Sequence, residues 1–323
     1  QGVSAHPPGM PGHGRPPQLA VLLLLFHAPR VALSMRAQPP LAVVTGANTG
    51  IGYHVAGQLA ERGYEVVLAC RSRDRGEQAL AALRQRGGGS VNARVEAVDL
   101  ASFASVRALA EGLADRHDRL DVLVCNAGLN SASAEQAPEA QLTGDGVDAL
   151  YQANFLSHFL LTLLLLPLLS AARGRVISVS SCVHRSATQE QLPLTQEVRQ
   201  PYTSLYGFSK LAQIAASGEL HRRYGHSRGV AFHCVNPGGV ASDIWRAYPA
   251  WRRWLFGAVL VSPETAAQTV VQACVCDEGA LPAEPAYWNG YLGAAASEAF
   301  EYWSPFPARG ASVPSAPSEA ARD

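Results

Sequence analysis

The chain lacks an excess of either charge, because 26 lysines and arginines balance 26 aspartates and glutamates. Without a broad basic field, no nucleic-acid partner is expected. Cysteine is sparse, and of the six only Cys274 and Cys276 stand close together, at a spacing that suits neither a zinc knuckle nor a redox pair. No metal is therefore expected. Cys70, Cys125, Cys182, Cys234, Cys274 and Cys276 read as reduced thiols, and four of them lie in or beside short apolar runs, as small buried hydrophobes do. Acidic residues are missing altogether before Glu61, and methionine occurs only at Met10 and Met35. What is present is a 48% apolar composition over 323 residues, enough for a sizeable core and incompatible with disorder throughout.

The acid-free opening, residues 1–36, is rich in Pro and Gly around one apolar run from Leu19 to Phe26. That run is shorter than the roughly 20 residues a bilayer-spanning helix needs. Two readings stand: an organelle or secretory targeting segment, or an extended or truncated gene model whose natural start is Met35. The compartment is left open between the cytoplasm, a membrane surface and an organelle. A second apolar stretch, Phe155 to Ala172, contains His158 and is interrupted by Pro167. Lying between two strand-like runs, it is expected to be a buried helix packed on a sheet or a subunit partner, not a membrane span. At the other end, residues 304–323 turn to Pro, Ala, Ser and Arg without periodicity, and a disordered tail is expected.

From Leu41 onward, short β-branched or apolar runs alternate with helical stretches. The expected strands are Leu41 to Thr45, Glu65 to Ala69, Arg94 to Val98, Leu120 to Cys125, Arg175 to Val179 and Val230 to Val235. Between them apolar residues recur every three or four positions, as in Val106, Leu109, Ala110 and Leu113. Six strands joined by helical crossovers predict an α/β fold over residues 37–303: one doubly wound, Rossmann-type parallel sheet with helices on both faces.

The first chemical motif, Thr45-Gly46-Ala47-Asn48-Thr49-Gly50-Ile51-Gly52, follows the first strand directly and opens a helix. Gly46 permits a tight turn, while Gly50 and Gly52 remove Cβ atoms where backbone approaches a pyrophosphate and where helix packs on strand. The helix N-terminus then offers free N–H groups to phosphates. At the end of the second strand an acidic residue would bind the ribose hydroxyls of NAD, but Cys70 stands there and Arg71 follows. A cation at that point favours the 2′-phosphate of NADP(H). Farther on, Tyr206 and Lys210 are four residues apart in a helical pattern and so share a face. A nearby ammonium favours the phenolate, which a tyrosine needs before it can exchange a proton at neutral pH.

Taken together, the stretch from about Leu41 to Leu292 resembles the short-chain dehydrogenase/reductase family. Its glycine loop is matched by Thr45, Gly46, Gly50 and Gly52, its acidic adenine contact by Asp99, and its Asn-Ala-Gly segment by Asn126, Ala127 and Gly128. Its catalytic asparagine, serine and Tyr-x-x-x-Lys pair are matched by Asn154, Ser181, Tyr206 and Lys210, and its nicotinamide-closing segment by Pro237 and Gly238. Leu68 to Arg71, Asn154 to Phe159 and Val179 to Ser181 look most like the retinol dehydrogenase, WW-domain oxidoreductase and protochlorophyllide reductase relatives.

The resemblance implies NADP(H) held by Gly46, Asn48, Thr49, Gly50, Ile51, Gly52, Arg71, Asp99, Leu100, Asn126, Ala127, Gly128, Tyr206, Lys210, Pro237 and Gly238. It also implies Tyr206 as proton donor and acceptor, Lys210 as its pKa modifier and ribose contact, Ser181 as the group bonding the substrate oxygen, and Asn154 as the holder of a water joining Lys210 to solvent. Ser180 is the alternative to its neighbour Ser181. The implied reaction interconverts a carbonyl and an alcohol; carbon–carbon double-bond reduction and a non-catalytic dinucleotide-binding regulator are the alternatives. Beyond Gly238 the aromatic cluster Trp245, Tyr248, Trp251, Trp254 and Phe256, with Ile244 and Leu255, points to a lipophilic substrate such as a retinoid or steroid. The competing reading makes Trp251 to Trp254 a peripheral membrane contact or a subunit surface of a homo-oligomer. His158 and His184 read as packing or surface histidines, and Asp145 and Asp148 as turn and cap groups.

Overall fold

Alternation along the first strands decides the layering. Ala42 and Val44 of β1 (Leu41–Thr45), with Val66 and Leu68 of β2 (Glu65–Cys70), enter one buried cluster. Leu41, Val43, Val67 and Ala69, on the opposite face of the same strands, enter the other. A sheet apolar on both faces must be covered on both, and the helices divide accordingly. On the first face lie α1 (Gly50–Glu61), α2 (Arg73–Arg86) and α6 (Pro263–Val275), contributing Leu59, Leu83 and Val270. The second face carries α3 (Phe103–Ala114), α4 (Ala149–Ala172) and α5 (Tyr202–Arg228), contributing Leu109, Leu165 and Leu220. The expected helical stripe of Val106, Leu109, Ala110 and Leu113 is buried throughout.

The structure is a computed structural model, and it describes residues 38–87, 91–129, 142–187, 202–241, 260–276, 287–289 and 301–303. Residues 39–323 form one compact unit. The remaining strands are β3 (Ala93–Ala97), β4 (Val122–Cys125), β5 (Arg175–Val179), β6 (Ala231–Asn236), β7 (Tyr287–Asn289) and β8 (Glu301–Trp303), in the sheet order β3-β2-β1-β4-β5-β6-β7-β8. The six expected strands form with ends moved by no more than about two residues, the ordinary uncertainty of such boundaries, and pair in parallel. β7 and β8 were not foreseen; each is three residues long, and β8 runs antiparallel to β7. Three residues are too few to show a two-residue period, so neither strand announces itself. The targeting-like opening (1–36), the tail (304–323) and the aromatic cluster from Ile244 to Phe256 lie outside the described residues.

Two helix details position the site. Asp148 caps the start of α4, its Oδ1 accepting from the amides of Leu150 and Tyr151 at 2.9 and 3.0 Å. Asp145 accepts from the Phe103 amide at 2.7 Å, so both aspartates serve the turn and cap tasks expected of them. Within α4, residues Gln152–Leu156 form a π-helical turn, a wider winding that displaces carbonyls from the regular ladder and often marks functional sites. α4 is long and apolar enough by composition to cross a membrane. Leu161, Leu165 and Leu169 are nevertheless fully buried against the sheet, as expected of a core helix.

Candidate active site

β1 lies between β2 and β4, so the chain leaves the sheet in opposite directions after these two winding halves. A crevice opens where their carboxyl-end loops part. Thr45 ties the two loops together: its Oγ1 accepts from the amides of Asn126 and Ala127 at 2.9 and 3.0 Å, and Asn126 Nδ2 donates to the Thr45 carbonyl at 2.9 Å. Gly46 and Gly50 adopt φ of 65° and 58°, the left-handed region that favours glycine. A Cβ on Gly52 would lie 2.5 Å from both Asn126 Nδ2 and the Gly46 carbonyl oxygen. The loop is thus a close-packed cradle ending on the N-terminus of α1.

The cleft has a volume of about 1690 Å³. Gly46, Asn48, Thr49, Gly50 and Ile51 line one side, followed by Arg71, Asp99, Leu100, Asn126, Ala127 and Gly128. Ser181, Tyr206, Lys210, Pro237 and Gly238 line the other. Of the cofactor-binding and catalytic residues named from the sequence, Gly52 and Asn154 do not line it.

Tyr206 and Lys210 share one face of α5, with Lys210 Nζ 5.5 Å from the tyrosine ring centre. Burial pushes the Tyr206 hydroxyl up to about 12, and a hydrogen bond with the Ser181 side chain opposes that rise. At neutral pH the group keeps its proton. Burial acts oppositely on Lys210, lowering it to about 8. Its Nζ donates to the Val179 carbonyl at 2.8 Å, which aims the ammonium across the cleft floor. The two adjacent serines are distinguished by their partners. Ser180 Oγ is buried and donates to the Lys210 carbonyl at 3.0 Å, whereas Ser181 is partly exposed at the cleft wall.

Asn154 sits in the π turn, fully buried. Its Oδ1 accepts from the Leu129 amide at 2.7 Å, and its Nδ2 donates to the Leu129 carbonyl at 2.9 Å and to Ser209 Oγ at 3.2 Å. The side chain therefore clamps the loop just past Gly128. Its main-chain carbonyl accepts from His158 Nδ1 at 3.1 Å and from Gln213 Nε2 at 2.9 Å. Two donors already fill its two lone pairs. A water joining Lys210 to solvent, as the sequence resemblance implied for Asn154, would find no free lone pair on that main-chain carbonyl, whereas Oδ1, which accepts only from the Leu129 amide, keeps one.

His158 is the buried packing residue the sequence suggested, with a connecting task it did not reveal. A carbonyl can only accept, so Nδ1 carries the proton and Nε2 accepts from Thr45 Oγ1 at 2.9 Å. Burial holds the ring neutral by lowering its pKa to about 4. His158 thereby links the glycine loop to the π turn. Neither this role nor that of Gln213 follows a recognised motif; the one sequence signal is spacing, since position 213 falls one turn beyond Lys210 on the same helix.

The cofactor-discriminating corner follows from β2. Cys70 is buried, and burial raises its thiol to about 11 while the amides of Ala47 and Asn48 hydrogen-bond to it. It brings no negative charge to the cleft. Arg71 is exposed at the cleft edge, with no ion pair holding it among the described residues. The cradle without Cβ atoms, the open end of α1 and this free cation fit the diphosphate and an added phosphate of a dinucleotide. All six cysteines are free thiols, and Cys182 alone is exposed.

A family model described as short chain dehydrogenase matches residues 40–253. Dehydrogenase/reductase SDR family member 13 of Bos taurus is 40% identical over 258 residues, 76% of this chain and 65% of that protein. The chain thus spans about 65% of that relative's length. Retinol dehydrogenase 11 of Homo sapiens is 37% identical over 242 residues, 74% of this chain and 73% of the relative. Among solved structures, the alcohol dehydrogenase of the archaeon Thermococcus sibiricus, complexed with 5-hydroxy-NADP, superposes with a TM-score of 0.56 at 25% identity, covering 78% of this chain and 95% of its own.

Proposed function

The chain belongs to the short chain dehydrogenase family, and from that premise we propose an oxidoreductase that interconverts a carbonyl and an alcohol with NADP(H), on a lipophilic substrate. The observation that carries this reading is the cleft itself, where Tyr206, Ser181 and Lys210 face a glycine cradle fit for a dinucleotide. In carbonyl reduction Tyr206 gives its proton to the substrate oxygen, which Ser181 holds by a hydrogen bond. Lys210 stabilises the resulting phenolate and holds the nicotinamide ribose. The cofactor supplies the hydride when bound. Asn154 keeps the Gly128–Leu129 wall in place through its Leu129 bonds.

Support for a lipophilic substrate comes from the likeness to retinol dehydrogenase 11 and from the apolar and aromatic residues between Ile244 and Phe256. Retinal and steroid ketones are expected to be reduced faster than small polar aldehydes in an assay of NADPH consumption run with and without liposomes. A preference for the polar compounds would defeat the lipophilic assignment. No turnover with any carbonyl would defeat the enzyme reading.

Cofactor choice rests on Cys70 and Arg71. NADPH is expected to bind more tightly than NADH, and Arg71→Ala to narrow or reverse the ratio. A charge-assisted hydrogen bond contributes about 1.5–3 kcal/mol, so the shift should reach roughly tenfold or more and appear mainly in affinity. Equal affinities in the wild-type chain, read by quenching of protein fluorescence, would refute the assignment.

A further inference from the structure

Gln213 lies on α5 three residues beyond Lys210, buried to 3% exposure between that helix and the π turn. Its Nε2 donates to the Asn154 carbonyl at 2.9 Å, and its Oε1 is buried without a hydrogen-bond partner. The two ends of an amide are readily exchanged in structures, but here the assignment is forced. Turning the group would set Oε1 against the carbonyl and leave that carbonyl one donor short. The orphan is therefore the acceptor, and it is aimed into the interior.

A buried acceptor without a partner is unfavourable, and an apolar side chain of similar length would fill the position without that cost. Internal water is the usual way such groups are satisfied. A second need for water lies one turn away on the same helix. Lys210 Nζ has three N–H groups and, among the described residues, only the Val179 carbonyl as a hydrogen-bond acceptor. Gly128 leaves room beside it: a Cβ there would come 3.8 Å from Nζ and 3.3 Å from Asn154 Oδ1. The Asn154 carbonyl is filled by Gln213 and His158, so the one acceptor site Asn154 can still offer is the second lone pair of Oδ1, beside the Leu129 amide.

We propose that Gln213 is a positioning residue for proton transfer: Nε2 fixes the Asn154 carbonyl in the π turn, and Oε1 holds an internal water that hydrogen-bonds to the Lys210 ammonium. The task assigned from sequence to Asn154 is thereby shared with the residue that occupies its carbonyl. This rests on the oxidoreductase reading only for its kinetic consequence; the water and its effect on Lys210 do not require turnover. The titratable groups packed around Gln213 and Lys210 are Tyr206 on α5 itself, His158 from α4, Cys125 from β4 and Cys234 from β6, whose Sγ contacts the Gln213 carbonyl. None is exchanged in the test.

The test is Gln213→Met, which keeps length and removes both polar ends. Lys210 is the only lysine in the chain, so its acetylation can be followed against pH by peptide mass spectrometry on the protein without cofactor. Losing the water should disfavour the ammonium, moving the midpoint of labelling to lower pH. In the enzyme assay kcat for carbonyl reduction should fall by about tenfold or more while KM and NADPH affinity stay within about threefold. Unchanged labelling, or a kcat within about threefold of wild type, would overturn the proposal. A wild-type chain without turnover would sink the oxidoreductase reading, and the labelling profile would still decide the role of Gln213. Should Gln213→Met not fold, Gln213→Asn withdraws the amide by one methylene and carries the same expectations.

Discussion

Tyr206→Phe is expected to lower carbonyl reduction by about a hundredfold to ten-thousandfold, the range in which a positioned proton donor contributes. The substitution removes one oxygen and leaves the ring, which packs against the cluster containing Leu150, Tyr151, Leu205 and Phe208. Folding should therefore survive, and NADPH affinity should stay within about threefold of wild type. The direction of chemistry follows from burial, which pushes the hydroxyl up to about 12. A group that keeps its proton at neutral pH is ready to donate in reduction, while alcohol oxidation requires that the proton leave first. Oxidation should accordingly accelerate into the alkaline range in the wild-type protein and lose that dependence in the variant. Activity within a few-fold of wild type, with the cofactor still bound, would remove Tyr206 from the reaction.

How far the sequence could be read depended on whether a feature is local. The strands β1 to β6 run for four to six residues and were legible; β7 and β8 have three residues each and were not. The glycine loop was equally plain, because the conformational demands at Gly46 and Gly50, and the steric one that the Gly46 carbonyl makes on Gly52, are met within eight residues of chain. Contacts that cross the fold left less trace. The bond from Gln213 to Asn154 spans 59 positions, and that between Thr45 and His158 spans 113. A histidine or glutamine in an apolar helix has the same local pattern whether it lies idle or connects two loops. The π turn was hidden for a related reason: Gln152 to Leu156 carries no proline or glycine, and the winding is set by what packs around Asn154. The bond of Ser180 to the Lys210 carbonyl was hidden in the same way, since it is a contact across 30 positions.

Lys210→Met is expected to abolish most turnover and yet leave the protein as stable as wild type, or more so. At 4% exposure the ammonium is among the most buried charges in the described residues, and burial lowers it to about 8 from an ordinary lysine value. Its folded pKa lies below its unfolded one, so the folded state binds fewer protons between the two. The penalty for burying the charge is in full force below the folded pKa and disappears as pH rises through the unfolded one. At neutral pH that penalty is on the order of a few kcal/mol, and a methionine of similar volume removes it. Activity should move the opposite way. Loss of the charge withdraws stabilisation from the Tyr206 phenolate and a charge-assisted contact from the cofactor, so kcat should fall by about a hundredfold or more and NADPH affinity by roughly tenfold. The pH dependence separates this from a general defect. Wild-type reduction should decline as pH rises through about 8, where Lys210 gives up its proton. The residual activity of Lys210→Met should show no such inflection. A variant that melts well below wild type, or that keeps the alkaline decline, would mean that the charge on Lys210 serves the fold and not the reaction.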